Sequence, residues 1–117
     1  MASFENIYEF VRINSTYQQT KKIVTPARIW EMKLFNKLVG CSHVDTYIRF
    51  YRLPEYGLEE AFVAGSIIRY FSEANNGSLI AAGSTDLWVR VFAFDGSGYT
   101  QTQAIYVGFV SIFIKIT

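Results

Sequence analysis

From Val44 to Leu53, apolar and polar side chains alternate at period two, a pattern that fits an extended strand and no other regular element. Val44, Thr46, Ile48 and Phe50 fall on one side, Asp45, Tyr47, Arg49 and Tyr51 on the other. The first set is expected to face a core and the second to face solvent, because successive side chains of a strand point to opposite faces. Leu53-Pro54-Glu55-Tyr56-Gly57 gathers turn formers and ends the strand.

The same period recurs along the chain, whereas helical periodicity does not. Ile7, Glu9, Val11 and Ile13 alternate with Tyr8, Phe10 and Arg12, which predicts a strand over 5–13. Asn14-Ser15 opens a polar loop, and 20–25 reads as a short strand. Thr25-Pro26 has the chemistry of a helix start. Over 26–39, however, Arg28, Glu31, Lys33 and Lys37 do not gather on one helical face. Read as a strand, the segment puts Trp30, Met32 and Leu34 on one face and Glu31 and Lys33 on the other, and this reading is preferred. Residues 58–74 are balanced between a helix opened by Leu58-Glu59-Glu60-Ala61 and a strand from Ala61 to Phe71 buried on both faces.

Later signals are firmer. Asn75-Asn76-Gly77 marks a hairpin turn, since both residue types tolerate positive φ. Short strands are expected at Leu79 to Ala82 and at Leu87 to Phe94, the latter with Trp88, Arg90, Phe92 and Phe94 on one side. Asp95-Gly96-Ser97-Gly98 is a loop, and Gln103 to Ile116 reads as a long final strand. Aromatic residues make up 17% of the chain, and hydrophobic residues 50% against 18% charged, which excludes disorder and suits a packed sheet. The expected fold is all-β: one domain over 1–117, an antiparallel β-sandwich or jelly roll of about 7–8 strands. The alternative is an α+β fold with a helix at 58–74 packed on the sheet. No internal repeat, low-complexity segment or linker stands out.

Chemistry-bearing residues are sparse. A single cysteine, Cys41, excludes an internal disulfide and a cysteine-rich zinc site. No His, Asp and Glu set has metal-ligand spacing, no cofactor motif occurs, and no cofactor is expected. Cys41 and His43 lie two apart in Gly40-Cys41-Ser42-His43, with Asp45 as the nearest acid. Nucleophilic catalysis needs an aligned base and orienting group, which adjacency alone does not supply. The expectation is a thiol tucked under a loop and a solvent-exposed His. Glu59 and Glu60 are neighbours and point to opposite sides of a strand, which excludes a glycosidase pair. The chain is therefore expected not to be an enzyme. The sequons Asn14-Ser15-Thr16 and Asn76-Gly77-Ser78 are read as incidental.

Net charge is +1, with no global pull toward nucleic acid. The charge is uneven: residues 1–54 hold eight Lys/Arg against four Asp/Glu, residues 55–117 three against six. Opposite faces of this kind favour contact between copies. Lys21, Lys22, Arg28, Lys33 and Lys37, interleaved with Tyr17 and Trp30, make single-stranded nucleic acid a weaker alternative. No signal peptide or membrane-spanning run is legible, so the expectation is a cytoplasmically made, non-membrane chain, equally compatible with a virion component.

Two surfaces stand out. Asp45, Tyr47, Arg49 and Tyr51 form a candidate binding face for a glycan or a protein, since Tyr and Arg are enriched at interfaces. Tyr106, Phe109, Ile112, Phe113 and Ile114 belong to a final strand apolar on both faces, a candidate oligomer strand, because such a segment left at an edge aggregates. The leading expectation is a non-enzymatic, self-assembling structural or interaction protein, such as a bacteriophage capsid decoration, tail or fibre component. Its partners would be itself, other structural proteins or a glycan.

Overall fold

The computed structural model describes residues 5–35, 37–75 and 77–108, and every regular element within them is a β-strand. The strands are β1 (Glu5–Ile13), β2 (Thr16–Thr25), β3 (Ile29–Phe35), β4 (Leu38–His43), β5 (Tyr47–Arg52), β6 (Gly57–Val63), β7 (Ile68–Ala74), β8 (Leu79–Ser84), β9 (Trp88–Phe94) and β10 (Tyr99–Tyr106). They form a β1–β2 hairpin and two four-stranded antiparallel sheets, β3-β4-β5-β6 and β7-β8-β9-β10, each running in chain order. The fold is all-β and sandwich-like, as the alternation predicts, with ten described strands rather than seven or eight.

The helix alternative over 58–74 does not form. The segment is two strands, β6 and β7, parted by Gly65 at φ 90°. Phe62 of β6 and Ile68 and Phe71 of β7 are buried in the core between the sheets, whereas Leu58 and Val63 of β6 are exposed. β2 begins earlier than expected, at Thr16, and β10 begins at Tyr99 rather than Gln103. On β3 the strand reading holds, but Trp30, Met32 and Leu34 are exposed.

The main core lies between the two four-stranded sheets. Leu38, Ile48, Phe50 and Phe62 from the first meet Ile68, Phe71, Ile80, Ala82 and Phe92 from the second. Rings dominate it: Phe62 lies 4.9 Å from Phe92 and stacks on Tyr99 at 4.8 Å, and Phe35 meets Phe50 edge-on at 5.5 Å. Gly40 is a requirement of this packing, since a Cβ there would sit 2.7 Å from the Phe50 ring and 3.2 Å from that of Phe71. A second cluster joins Val39, Cys41 and Tyr51, on the other face of the first sheet, to Ile7 and Ile23 of the hairpin.

The two sheets are copies of one unit, although no repeat was expected. β4–β5 pairs Leu38 with Arg52, Val39 with Tyr51 and Cys41 with Arg49, and β8–β9 repeats those pairs 41 positions on: Leu79 with Ala93, Ile80 with Phe92, Ala82 with Arg90. β3–β4 and β7–β8 share a bulge at the same step, between Ile29 and Glu31 and between Ile68 and Tyr70. β5–β6 and β9–β10 share another, at Glu59 and Thr102. The β1–β2 hairpin matches the last two strands of the unit, with its bulge at Thr20. The bulge residue even repeats a bond: Thr20 Oγ1 donates to Glu9 O and Thr102 Oγ1 to Val91 O, both at 3.3 Å.

The repeats also stack the same way. Ile7, Ile48 and Val89 occupy one position of the unit; Phe10, Tyr51 and Phe92 occupy another, on the opposite face. The Ile7 face packs on the first sheet, and the Ile48 face packs on the second. Each unit therefore offers one face to the unit before it and the other to the unit after it.

Candidate interaction surfaces

The Asp45–Tyr51 row does not form an open binding face. Asp45 and Tyr47 reach solvent, but Arg49 and Tyr51 are buried. The cause is the β1–β2 hairpin, which covers the face that alternation assigns to solvent and turns β5 into a strand packed on both sides. Alternation reports two different faces without saying which is wet.

Asp45 and Arg49 instead brace a turn. Arg49 donates to both carboxylate oxygens, at 3.0 and 2.7 Å, and the Tyr47 N–H donates to Oδ1 at 3.3 Å. Between them Thr46 sits at φ 72°, unfavourable for a β-branched residue, so the bracing bonds offset real strain. Burial works against ionising Asp45, but the Arg49 and Tyr47 bonds and the Arg49 charge outweigh it and hold the carboxyl below its usual range. The Arg49 guanidinium also lies 4.8 Å from the Tyr47 ring centroid. Asp86 repeats the device: it takes Arg90 at 3.1 and 2.5 Å and the Trp88 N–H at 3.3 Å, with Leu87 at φ 74°. The Arg90 bonds hold Asp86 at about 2. Both pairs are structural, and neither carboxylate is free to act on a ligand.

Cys41 and His43 sit inside the protein, not on a loop. Both belong to β4 and both are fully buried. This corrects the expectation of a solvent-exposed His. Burial pushes the Cys41 thiol up to about 12, with the Arg49 charge opposing, so no thiolate forms near neutral pH. Burial likewise lowers the His43 pKa, against a raising bond in which Nδ1–H donates to Ala27 O at 2.9 Å. His43 is neutral and anchors the chain just before β3. Among the described residues, no three His, Cys, Asp or Glu side chains lie together as a metal site.

The basic residues are partly engaged within the chain. Lys21 Nζ donates to Pro54 O and lies 5.6 Å from the Tyr56 ring centroid; Lys33 Nζ donates to the Tyr70 hydroxyl at 2.8 Å. Trp30 is faced by Arg69 at 4.4 Å. Glu59 pairs with Arg52 rather than with Glu60. A cleft of about 440 Å³ opens between the sheets beside Phe50, Arg52, Glu59, Glu60, Phe94 and Tyr99. Of its three charged side chains, Arg52 and Glu59 pair with each other.

Two open apolar faces lie at the two ends of the stack. At one end the hairpin exposes Tyr8 and Phe10. At the other, the outer face of the second sheet carries Val89, Val91 and Ile105, none of them buried. Sequence reasoning missed both ends, because they are recognisable only once the unit is known. Of the candidate oligomer strand, Tyr106 closes β10, exposed, with its ring 5.4 Å from Trp88; Phe109, Ile112, Phe113 and Ile114 lie outside the described residues. No family model and no curated protein matches this chain, so the reading of these surfaces rests on the geometry alone.

Proposed function

We propose that this protein is a non-enzymatic binding module that works by association through the end faces of its stacked sheets. One observation carries the reading: at the central paired positions of the unit, burial follows whether another unit lies against them. Tyr51 and Phe92 are 5% and 3% exposed, whereas Phe10, in the same position of the hairpin, is 57% exposed. Phe62 is 8% exposed and its equivalent Ile105 is 44% exposed. Apolar side chains at positions built for burial, left open to water, mark an interaction surface.

The paired carboxylates, buried thiol and neutral imidazole support no rival chemistry. The glycan alternative loses its platform with the burial of Tyr51. No residue-level feature points to a virion in particular. Light scattering behind size exclusion tests the proposal. Particles well above the 13.4 kDa chain mass at micromolar concentration are expected. A strict monomer at about 100 μM, where contacts of even −6 kcal/mol register, would rule the reading out.

A further inference from the structure

The interface between units occurs twice inside this chain, and its two halves are left open at opposite ends. At the first occurrence, Ile23 of the hairpin shares a cluster with Tyr51 of the first sheet. At the second, Phe62 of the first sheet meets Phe92 of the second, 4.9 Å between centroids. Ile23, Phe62 and Ile105 are one position of the unit, paired with Ile7, Ile48 and Val89 respectively. Tyr51, Phe92 and Phe10 are another. A companion contact repeats as well. Tyr56 reaches back to Glu9, its hydroxyl donating at 3.1 Å, and the equivalent Tyr99 reaches back to Phe50, the equivalent of Glu9, 5.5 Å ring to ring.

We infer that copies of this chain stack head to tail, with Ile105 of one copy meeting Phe10 of the next as Phe62 meets Phe92 within the chain. A second copy is the occupant because it carries the complementary half of an interface this fold already makes twice. The two end faces are different surfaces, so the contact is heterologous, not a two-fold pairing of like with like. Four-stranded sheets recurring about every 40–45 residues and packed face to face are also the unit of ring-forming propellers, in which the same contact repeats until the ring closes.

This inference rests on the proposed association function, and one experiment separates the two. Phe10→Asp blocks the hairpin end and Ile105→Asp blocks the far end; both side chains are exposed in the single chain, so neither change disturbs its core. Circular dichroism confirms that each variant keeps its sheet content, and Phe10→Ser with Ile105→Ser serve if a charge prevents folding. Each variant alone is expected at chain mass, and an equimolar mixture at twice that mass and no more. One open end of each kind survives in the mixture, which permits one contact and then stops. A wild-type oligomer that persists in either variant, or a mixture that stays at chain mass, overturns the head-to-tail geometry and leaves association standing. A monomeric wild type overturns both.

Discussion

Asp45 and Asp86, 41 positions apart, hold the same turn of successive repeats, each gripping the arginine four residues on with both carboxylate oxygens. The grip joins the start of β5 or β9 to its own middle and lets a non-glycine residue stand at positive φ between them.

Replacing either aspartate with Asn should therefore destabilise the fold. The loss is about 2 kcal/mol at pH 7, the range for hydrogen bonds to charged groups. Asp86 also sets a pH window. Its folded pKa, about 2, lies below the unfolded value near 3.8, so its contribution is present above pH 4 and is lost as pH falls toward 2. Urea titrations of wild type and Asp86→Asn should converge over that range. A difference that stays constant from pH 7 to 2 would show that the carboxylate charge contributes nothing.

Gly40→Ala is the smallest change with a large expected effect. The added carbon meets the ring of its cross-strand partner Phe50 at 2.7 Å and the Phe71 ring of the facing sheet at 3.2 Å, so the Phe50 ring must move within a packed aromatic core. Overpacking of this kind costs roughly 1–3 kcal/mol. The midpoint of thermal unfolding should fall accordingly, whereas Gly57→Ala, with open space around it, should move it far less.

Cys41 should be inert to an aqueous thiol reagent at pH 8 in the folded protein, because it is both enclosed and protonated. Its labelling rate should track global unfolding as denaturant is raised. Stoichiometric labelling of the native state within seconds would show that β4 is open to water.

Phe62 and Ile105 offer a matched comparison, equivalent in the unit but different in cover. Truncating Phe62 to Ala removes a ring packed on Phe92 and Tyr99 and should cost about 3–5 kcal/mol. Ile105→Ala, measured on dilute single chains, should cost under about 1 kcal/mol, as surface changes do. Equal losses would mean that the outer face is packed within the chain.

The all-β class was legible because period two runs through Ile7 to Ile13 and through Val44 to Tyr51 without competition from helical spacing. Sidedness was not. Tyr51 and Cys41 are buried by a hairpin some 30 residues upstream, and nothing local to β5 announces that contact. The candidate row Asp45–Tyr51 failed as an open face for the same reason, and Trp30, Met32 and Leu34 stayed exposed because the hairpin covers only part of the first sheet. The repeat had a trace in the sequence: Asp45-Thr46-Tyr47-Ile48-Arg49 against Asp86-Leu87-Trp88-Val89-Arg90, at a spacing of 41. Core positions blurred it, since Val39 and Ile80, or Tyr51 and Phe92, keep shape and hydrophobicity but not identity. Two-residue differences in the β3–β4 and β5–β6 hairpins against their counterparts shift the register further.

The recurring register has a consequence for how such a chain changes over time. Because the hairpin meets the first sheet as the first sheet meets the second, a duplicated or deleted unit creates no new kind of boundary. Most proteins that gain or lose forty residues must repair a core. This one would only move an end, and selection could adjust its length while leaving its packing rules untouched.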